Sequence, residues 1–186
     1  MNKSFQKLVF ICCTVFASSA LVAEEFQLSS NKVPANSILT DEQVFAGFGC
    51  TGKNLSPDLQ WTPGPAGTQS YAVTVYDPDA PTGSGWWHWI VYNIPGNVTS
   101  LAAGAGVADS KLLPAGASQG RSDYGTYAFG GACPPAGDAP HRYVFSVYAL
   151  KVNKIDVPVD ASAALIGFML NANDLAKASF TANYAR

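Results

Sequence analysis

The sequence predicts a mainly β protein with one helix near the C-terminus, and two observations carry this prediction. Runs rich in β-branched and aromatic residues alternate with turns that contain Pro and Gly, a pattern typical of strands. Only the segment from 160 to 178 has the apolar periodicity of an amphipathic helix. The body of the chain, about 165 residues, is long enough to bury a sizeable core as one domain.

The N-terminal segment has the features of a secretory signal peptide. Lys3 and Lys7 give it a positive start, and an apolar run from 8 to 17 follows. That run is too short to span a bilayer. Small residues at 18–20 offer a cleavage point, so we expect a signal peptide over residues 1–20.

A second cleavage point follows Ala23, so the cut falls there at the latest. We therefore expect a single domain over 24–186, located in the periplasm or secreted. No other run is apolar enough to predict a membrane span.

Export changes the number of cysteines that can pair. Cys12 and Cys13 leave with the signal peptide, and Cys50 and Cys133 remain. Because exported proteins meet an oxidising environment, we expect a disulfide between these two, with two buried free thiols as the alternative. The spacing supports neither a redox motif nor a zinc site.

The charge of the exported chain argues against two classes of partner. Without Lys3 and Lys7, nine basic residues face thirteen acidic ones, and the formal charge moves from −2 to −4. Nucleic acids and anionic membrane surfaces are bound by clustered Lys and Arg, which this chain lacks. Any anion site must therefore be local.

Three segments predict the main strands of the sheet. Residues Ser70–Asp77 alternate in character and end at a proline, and His88–Ile94 follows after a ten-residue connection. These two form a plausible antiparallel pair, and their long connection favours a functional role. Tyr143–Lys151 has little polar character, so we expect an interior strand covered on both faces. The Gly- and Ala-rich segment 101–120 predicts irregular chain, with one short strand near 111–113.

The helix is expected to begin at Asp160, whose carboxylate can accept amide hydrogens of the first turn. It should dock on a sheet and run through Ala178, and residues Phe180–Arg186 should follow as an extended segment. The apolar residues assigned to its buried face are Ala163, Leu165, Ile166, Phe168, Met169, Leu170, Leu175 and Ala176.

Both histidines of the chain lie where a loop enters a predicted strand. His88 follows the acidic turn that begins at Asp77, and His141 follows Cys133-Pro134-Pro135 and precedes Tyr143. Since strand ends can meet at one edge of a sheet, these side chains could form a small pocket with a carboxylate, imidazoles and a phenol. Without further support, a buried structural histidine and a core tyrosine remain good alternatives.

At these residues the chain resembles the phosphatidylethanolamine-binding proteins, and in particular their exported bacterial branch related to Raf kinase inhibitor proteins, known as YbhB/YbcL. The matching motifs occur in the family's order and cover nearly all of the exported chain. They are Asn54-Leu55-Ser56-Pro57 with Leu59 and Trp61, Asp77-Pro78-Asp79-Ala80-Pro81, Trp86-Trp87-His88-Trp89, Cys133-Pro134-Pro135 and His141-Arg142-Tyr143.

The resemblance implies an antiparallel β-sandwich with peripheral helices and a small pocket for phosphate or a phosphorylated lipid head group. Asp79 should brace the acidic turn, and Trp87 stands where animal members have a first histidine. The pocket residues carried over from the motifs are Asp77, His88, His141 and Tyr143, with the backbone from Cys133 through Pro134 to Pro135 as one wall.

Two classes of function follow from this set of residues. In the first, the protein is a non-enzymatic binding module in which Tyr143 and the histidines donate hydrogen bonds to an oxyanion while Asp77 orients His88. In the second, Asp77 and a histidine activate water, or two histidines and a carboxylate hold a metal, as in a periplasmic hydrolase. A modulator of a protease or host protein is compatible with the first. We expect the binding module, with neither cofactor nor metal.

Overall fold

The computed structural model describes residues 25–186, so the signal peptide expected over 1–20 lies outside the described residues. This part of the chain contains short and long strands and one helix. In chain order they are β1 (Leu28–Ser29), β2 (Ala46–Gly47), β3 (Cys50–Thr51), β4 (Leu59–Trp61), β5 (Ser70–Asp77), β6 (Trp86–Pro95), β7 (Ser100–Leu101), β8 (Ser118–Gln119), β9 (His141–Leu150), α1 (Ala163–Asn173) and β10 (Asp174–Tyr184).

Two antiparallel sheets form the body of the protein. The larger has the strand order β10-β9-β5-β6-β8, and the smaller has the order β1-β4-β7. Strands β2 and β3 form a separate hairpin. Apolar side chains of both sheets share one core cluster, as in a sandwich of two layers. The predicted mainly β, antiparallel sandwich with a helix near the C-terminus is confirmed.

The alternation along β5 decides what covers each face of the larger sheet. Tyr71, Val73 and Val75 are buried in the core shared with the smaller sheet. Ala72 belongs to a second cluster on the opposite face, where Ile166 and other helix residues pack. The larger sheet is therefore covered on both faces, because side chains of a strand point alternately to either side.

The three main strands agree with the sequence prediction. β5 has the predicted bounds and pairs antiparallel with β6. β6 begins two residues before the predicted start, at Trp86, which pairs with Asp77. β9 begins at His141 and lies between β10 and β5, so it is an interior strand as expected.

The prediction for the helix was wrong at both ends. α1 begins after Ser162, whose hydroxyl accepts a hydrogen bond from the Leu165 amide at 3.1 Å, so Asp160 is not the cap. It ends at Asn173, and the next residues form β10 along β9. The alternating burial along β10, which includes Ala178, is also compatible with a helical pattern in the sequence, because small apolar residues fit either structure.

The buried face of α1 is also narrower than predicted. Ala163, Ile166, Gly167 and Leu170 are its buried residues, whereas Phe168 is 67% exposed and Leu165 41% exposed. The segment docks on the sheet through small and branched residues, and its largest side chain faces outward.

The predicted strand near 111–113 was wrong, since these residues form turns. A two-residue strand, β8, occurs instead at Ser118–Gln119 and pairs with β6. Within residues 25–186, the single helix falls short of the length and apolar character that crossing a bilayer requires.

Candidate functional site

A β-bulge determines where His88 points. Val75 pairs with Trp89 while Tyr76 pairs with Trp87, so His88 is the extra residue on β6. Strict alternation would place its side chain with Ile90, beneath the helix. The bulge re-aims it toward the ring of Tyr143, whose centroid lies 5.1 Å from that of His88.

One cavity of about 180 Å³ gathers the residues expected at the site. Its size is below the roughly 300 Å³ of pockets for drug-sized ligands, so it suits an ion or a small head group. The side chains come from the ends of β5, β6 and β9 and from three loops, which connect β2 to β3, β5 to β6 and β8 to β9. The cavity is lined by the expected residues Asp77, His88, Cys133, Pro134, His141 and Tyr143, and also by Phe48, Ala80, Pro81, Thr82, Trp86, Tyr124 and Pro135.

Asp77 is bonded to His141 and not to His88, which corrects the expected pairing. Its Oδ2 lies 2.7 Å from Nδ1 of His141, and its Oδ1 accepts the backbone amides of Asp79 and Ala80. The Nε2 atom of His141 lies 3.3 Å from a carboxylate oxygen of Asp138. Both carboxyl oxygens of Asp77 and both ring nitrogens of His141 therefore have partners.

The surroundings of His141 favour its protonated form. Burial disfavours the charge, but hydrogen bonds to Asp77 and Asp138 and their negative charges outweigh it and raise the pKa of His141 above 6.5. The ring is 4% exposed, so this charge is held inside the protein by two carboxylates.

His88 is held differently. Its Nδ1 lies 2.7 Å from the carbonyl oxygen of Gly130, which can only accept, so Nδ1 carries a proton. Burial lowers the pKa of His88, against the opposing effects of the Gly130 carbonyl and the charge of Asp77. The ring is therefore neutral, and its buried Nε2 has no hydrogen-bond partner.

Two further buried polar atoms at the cavity have no partner. They are the hydroxyl of Tyr143 and Nε1 of Trp86. Burial raises the pKa of Tyr143, so the phenol keeps its proton as a donor. The nearby hydroxyl of Tyr124 already donates to the carbonyl of Gly131 at 2.8 Å. Because unpartnered buried polar groups are costly, these atoms mark a place where a ligand can bind.

Asn54 holds the backbone segment to which His88 is hydrogen-bonded, a role that the sequence did not predict. Its Nδ2 donates to the Phe129 carbonyl at 3.2 Å, and its Oδ1 accepts the Gly131 amide at 2.7 Å. These bonds fix both neighbours of Gly130, whose carbonyl oxygen accepts the hydrogen bond from Nδ1 of His88. Asn54 begins one of the motifs shared with the family, which was a signal of its importance. The residues next to it in sequence give no reason to link it to residues 129–131.

Phe48 and Tyr124 were also missed as cavity residues. Phe48 is 69% exposed at the tip of the β2–β3 hairpin, and its ring stacks on Tyr124 with centroids 5.7 Å apart. A signal existed for Phe48, because it lies between two glycines and beside Cys50. Tyr124 lies in a polar segment whose course depends on tertiary contacts, and no local pattern marks it.

Asp79 braces the acidic turn against β9, as the resemblance implies. Its carboxylate accepts hydrogen bonds from the backbone amide, Nε and Nη2 of Arg142, at 2.9, 2.9 and 2.7 Å. The side-chain hydrogen bonds from Arg142 lower the pKa of Asp79 to about 2. The pair holds the turn that carries the Asp77 contacts.

A disulfide and an arginine tie together the two sides of the cavity mouth. Cys50 and Cys133 are bonded, with Cα atoms 6.0 Å apart, which joins the β2–β3 hairpin to the Cys-Pro-Pro wall. Arg186 donates from Nε to the Pro134 carbonyl at 2.6 Å and from Nη2 to the Phe48 carbonyl at 3.4 Å. Arg186 itself does not line the cavity.

The site offers little to a metal ion. Both nitrogens of His141 are engaged by carboxylates, and one nitrogen of His88 is used by a carbonyl. Across residues 25–186, no group of three or more His, Cys, Asp or Glu side chains is arranged to hold a metal. The arrangement instead presents unpartnered hydrogen-bonding atoms at a small cavity.

The chain is thus a β-sandwich protein in which an acidic turn, a Cys-Pro-Pro wall and two histidines meet at one cavity at the strand ends. The family model described as phosphatidylethanolamine-binding protein matches residues 29–185. The chain therefore belongs to the phosphatidylethanolamine-binding protein family.

The chain is similar in sequence to two proteins of Escherichia coli. The chain is 54% identical to YbcL over 177 residues, which cover 95% of this chain and 97% of YbcL. It is 46% identical to YbhB over 159 residues, which cover 86% of this chain and 99% of YbhB. The crystal structure of YbcL, described as a new member of the mammalian family, superposes with a TM-score of 0.85 at 57% identity, covering 87% of this chain and 99% of that one.

Proposed function

We propose that this protein binds a small oxyanion, such as phosphate or a phosphorylated head group, in the cavity between Asp77, His88 and Tyr143. One observation carries the proposal. Nε2 of His88, the hydroxyl of Tyr143 and Nε1 of Trp86 are buried at one cavity without hydrogen-bond partners. The oxygens of such a ligand can accept hydrogen bonds from the tyrosine hydroxyl and the tryptophan indole, which are donors.

The electrostatics of the cavity imply weak rather than tight binding. The charge of Asp77 is balanced by His141, which the two carboxylates keep protonated. Among the described residues, the cavity lining contains no Lys or Arg. Hydrogen bonds from neutral donors therefore supply most of the affinity, and these are weaker than charge-assisted bonds.

The contacts of Asp77 give it a structural role in the cavity. Its Oδ1 accepts two backbone amides and its Oδ2 contacts the His141 ring, so most of its lone pairs are already used within the protein. The family consists generally of non-enzymatic binding proteins, which supports the same proposal.

We further propose that the protein works outside the cytoplasm, after cleavage that follows residue 20 or, at the latest, residue 23. The N-terminal pattern of positive, apolar and small residues supports export. The bond between Cys50 and Cys133 supports an oxidising compartment.

The test compares thermal unfolding of the wild type and Tyr143→Phe with and without phosphoethanolamine. A ligand present at one hundred times its Kd raises the unfolding free energy by about 2.7 kcal/mol, so the wild-type midpoint should rise. Tyr143→Phe should unfold within about 0.5 kcal/mol of wild type without ligand, because its hydroxyl has no partner to lose, and should need more ligand for the same shift.

The matched control is Tyr148→Phe, the same substitution on the same strand. Tyr148 packs in the cluster on the other face of the sheet, away from the cavity. Its ligand-induced shift should equal that of the wild type. Equal shifts in all three proteins, or none in any, would overturn the proposed site.

A further inference from the structure

Nε2 of His88 is an acceptor, whereas the other two unpartnered atoms at the cavity are donors. The Gly130 carbonyl requires the ring proton on Nδ1, so in the neutral ring Nε2 offers a lone pair. The hydroxyl of Tyr143 and the indole of Trp86 can donate. The cavity therefore combines donors with one buried acceptor, and an oxyanion without hydrogens would place an oxygen against that lone pair.

From this geometry we infer that the cavity selects an oxyanion that itself carries a proton, whose O–H donates to Nε2 of His88. The inference rests on the proposed function and specifies its ligand. Hydrogen phosphate, or a phosphate monoester in its singly protonated form, meets this requirement. Sulfate has the same shape but lacks the proton, and so does the phosphodiester of an intact phospholipid.

The groups around His88 keep the ring in its neutral form. Asp77 from β5, His141 and Tyr143 from β9, and Asp123 and Tyr124 from the loop before β9 are the titratable groups that face it. Asp77 and Asp123 favour a protonated His88, but burial outweighs them and the pKa of His88 lies below 6.5. Asp77 is also bonded to His141, which brings a compensating positive charge.

An oxyanion without a proton can still bind if His88 takes up a proton from solvent. Nε2 then becomes a donor to the anion, but protonation of the buried ring costs free energy because burial disfavours its charge. Because this requires a proton, affinity for such an ion falls as the pH rises, whereas affinity for hydrogen phosphate does not depend on that step.

The test measures phosphate and sulfate binding by calorimetry at about pH 7.5, where phosphate retains at least one proton since its second ionisation lies near neutrality. Phosphate should bind at least about tenfold more tightly, the factor that one hydrogen bond of about 1.4 kcal/mol supplies. Dimethyl phosphate, which represents the phosphodiester of a lipid, should behave like sulfate. The preference over sulfate should narrow as the pH is lowered.

Two variants separate the acceptor from the donors. His88→Ala should lose the preference for phosphate over sulfate, because the lone pair is gone. Tyr143→Phe should weaken both ions and keep their ratio. Nitrogen chemical shifts of the His88 ring in the wild type give a second readout that needs no substitution: the ring should stay neutral with phosphate and become protonated with sulfate.

The outcomes distinguish this inference from the proposed function. Equal affinities for phosphate and sulfate in the wild type, or an unchanged ratio in His88→Ala, would leave an oxyanion site and overturn the proton requirement. Tight binding of dimethyl phosphate would also overturn it, in favour of an intact lipid head group. If no ion binds, the proposed function fails and this inference with it.

Discussion

Asp77 is the residue on which the charge distribution of the cavity depends. Its two oxygens receive the Asp79 and Ala80 amides and the His141 ring, so one side chain fixes both the acidic turn and the imidazole. The contribution of this pair to stability depends on the protonation of His141, because only the protonated ring compensates the buried charge of Asp77.

The Asp77–His141 pair predicts a pH dependence of stability. The folded pKa of His141 is raised above 6.5, so its contribution is fully present below that value and is lost as the pH rises through the folded pKa. Asp77→Asn should lower the pKa of His141 and destabilise the protein by on the order of 3 kcal/mol below about pH 6, and by less at higher pH. NMR titration of the ring and urea unfolding at several pH values measure the two effects.

Asp156→Asn is the control for this prediction. Asp156 forms an exposed ion pair with Lys154 at 3.7 Å, and such pairs contribute little. The titration of His141 should be the same in this variant as in wild type. An unchanged His141 pKa in Asp77→Asn would show that the carboxylate does not hold the proton on the ring.

At the scale of residues, the sequence predicted which side chains meet but not how they pair. The strand ends allowed Asp77, His88 and Tyr143 to meet, and the family resemblance implied the full set with His141. All four line one cavity. The choice of His141 over His88 as the partner of Asp77 depends on a bulge in β6 and on a carbonyl at residue 130. Neither leaves a local pattern, because both arise from the pairing of strands and loops distant in sequence.

The helix offers a direct test at the scale of elements. The Ser162 hydroxyl accepts the Leu165 amide, so Ser162→Ala should destabilise the protein by about 1 kcal/mol. Asp160 is exposed and outside the helix, and Asp160→Ala should stay within about 0.5 kcal/mol of wild type. Chemical denaturation of both variants measures the difference, and a larger loss in Asp160→Ala would move the cap back to that position.

The elements predicted well are those whose pattern fits one periodicity. β5 is a run of β-branched and aromatic residues that ends before Pro78, and both of its faces find apolar partners, so its bounds follow from the sequence. The segment from Ala163 to Ala178 fits two periodicities, and the pairing of β10 with β9 decides where the helix ends. Tertiary contacts of this kind override local preference, since small apolar residues favour neither state strongly.

At the scale of the whole molecule, the Cys50–Cys133 disulfide closes a long loop across the fold. The sequence separation is 83 residues, for which chain entropy predicts a stabilisation of roughly 4–5 kcal/mol as an upper guide. The double variant Cys50→Ala/Cys133→Ala should lose up to that amount in urea unfolding. Unreduced peptide mapping of protein recovered from the periplasm should find the cross-link, and two free thiols there would contradict both the bond and its effect.

The spread of the cavity residues along the chain has a kinetic consequence. β5 and β6 are consecutive in sequence and can pair early. β5 also pairs with β9, and this pairing joins residues far apart in sequence, such as Tyr76 and Val144. Contacts that close long loops require the loop-closure entropy to be lost before they stabilise the chain, which slows their formation. A ligand that needs Asp77, His88 and Tyr143 together can recognise only the nearly complete fold. Its binding energy should therefore slow unfolding and leave the rate of folding unchanged.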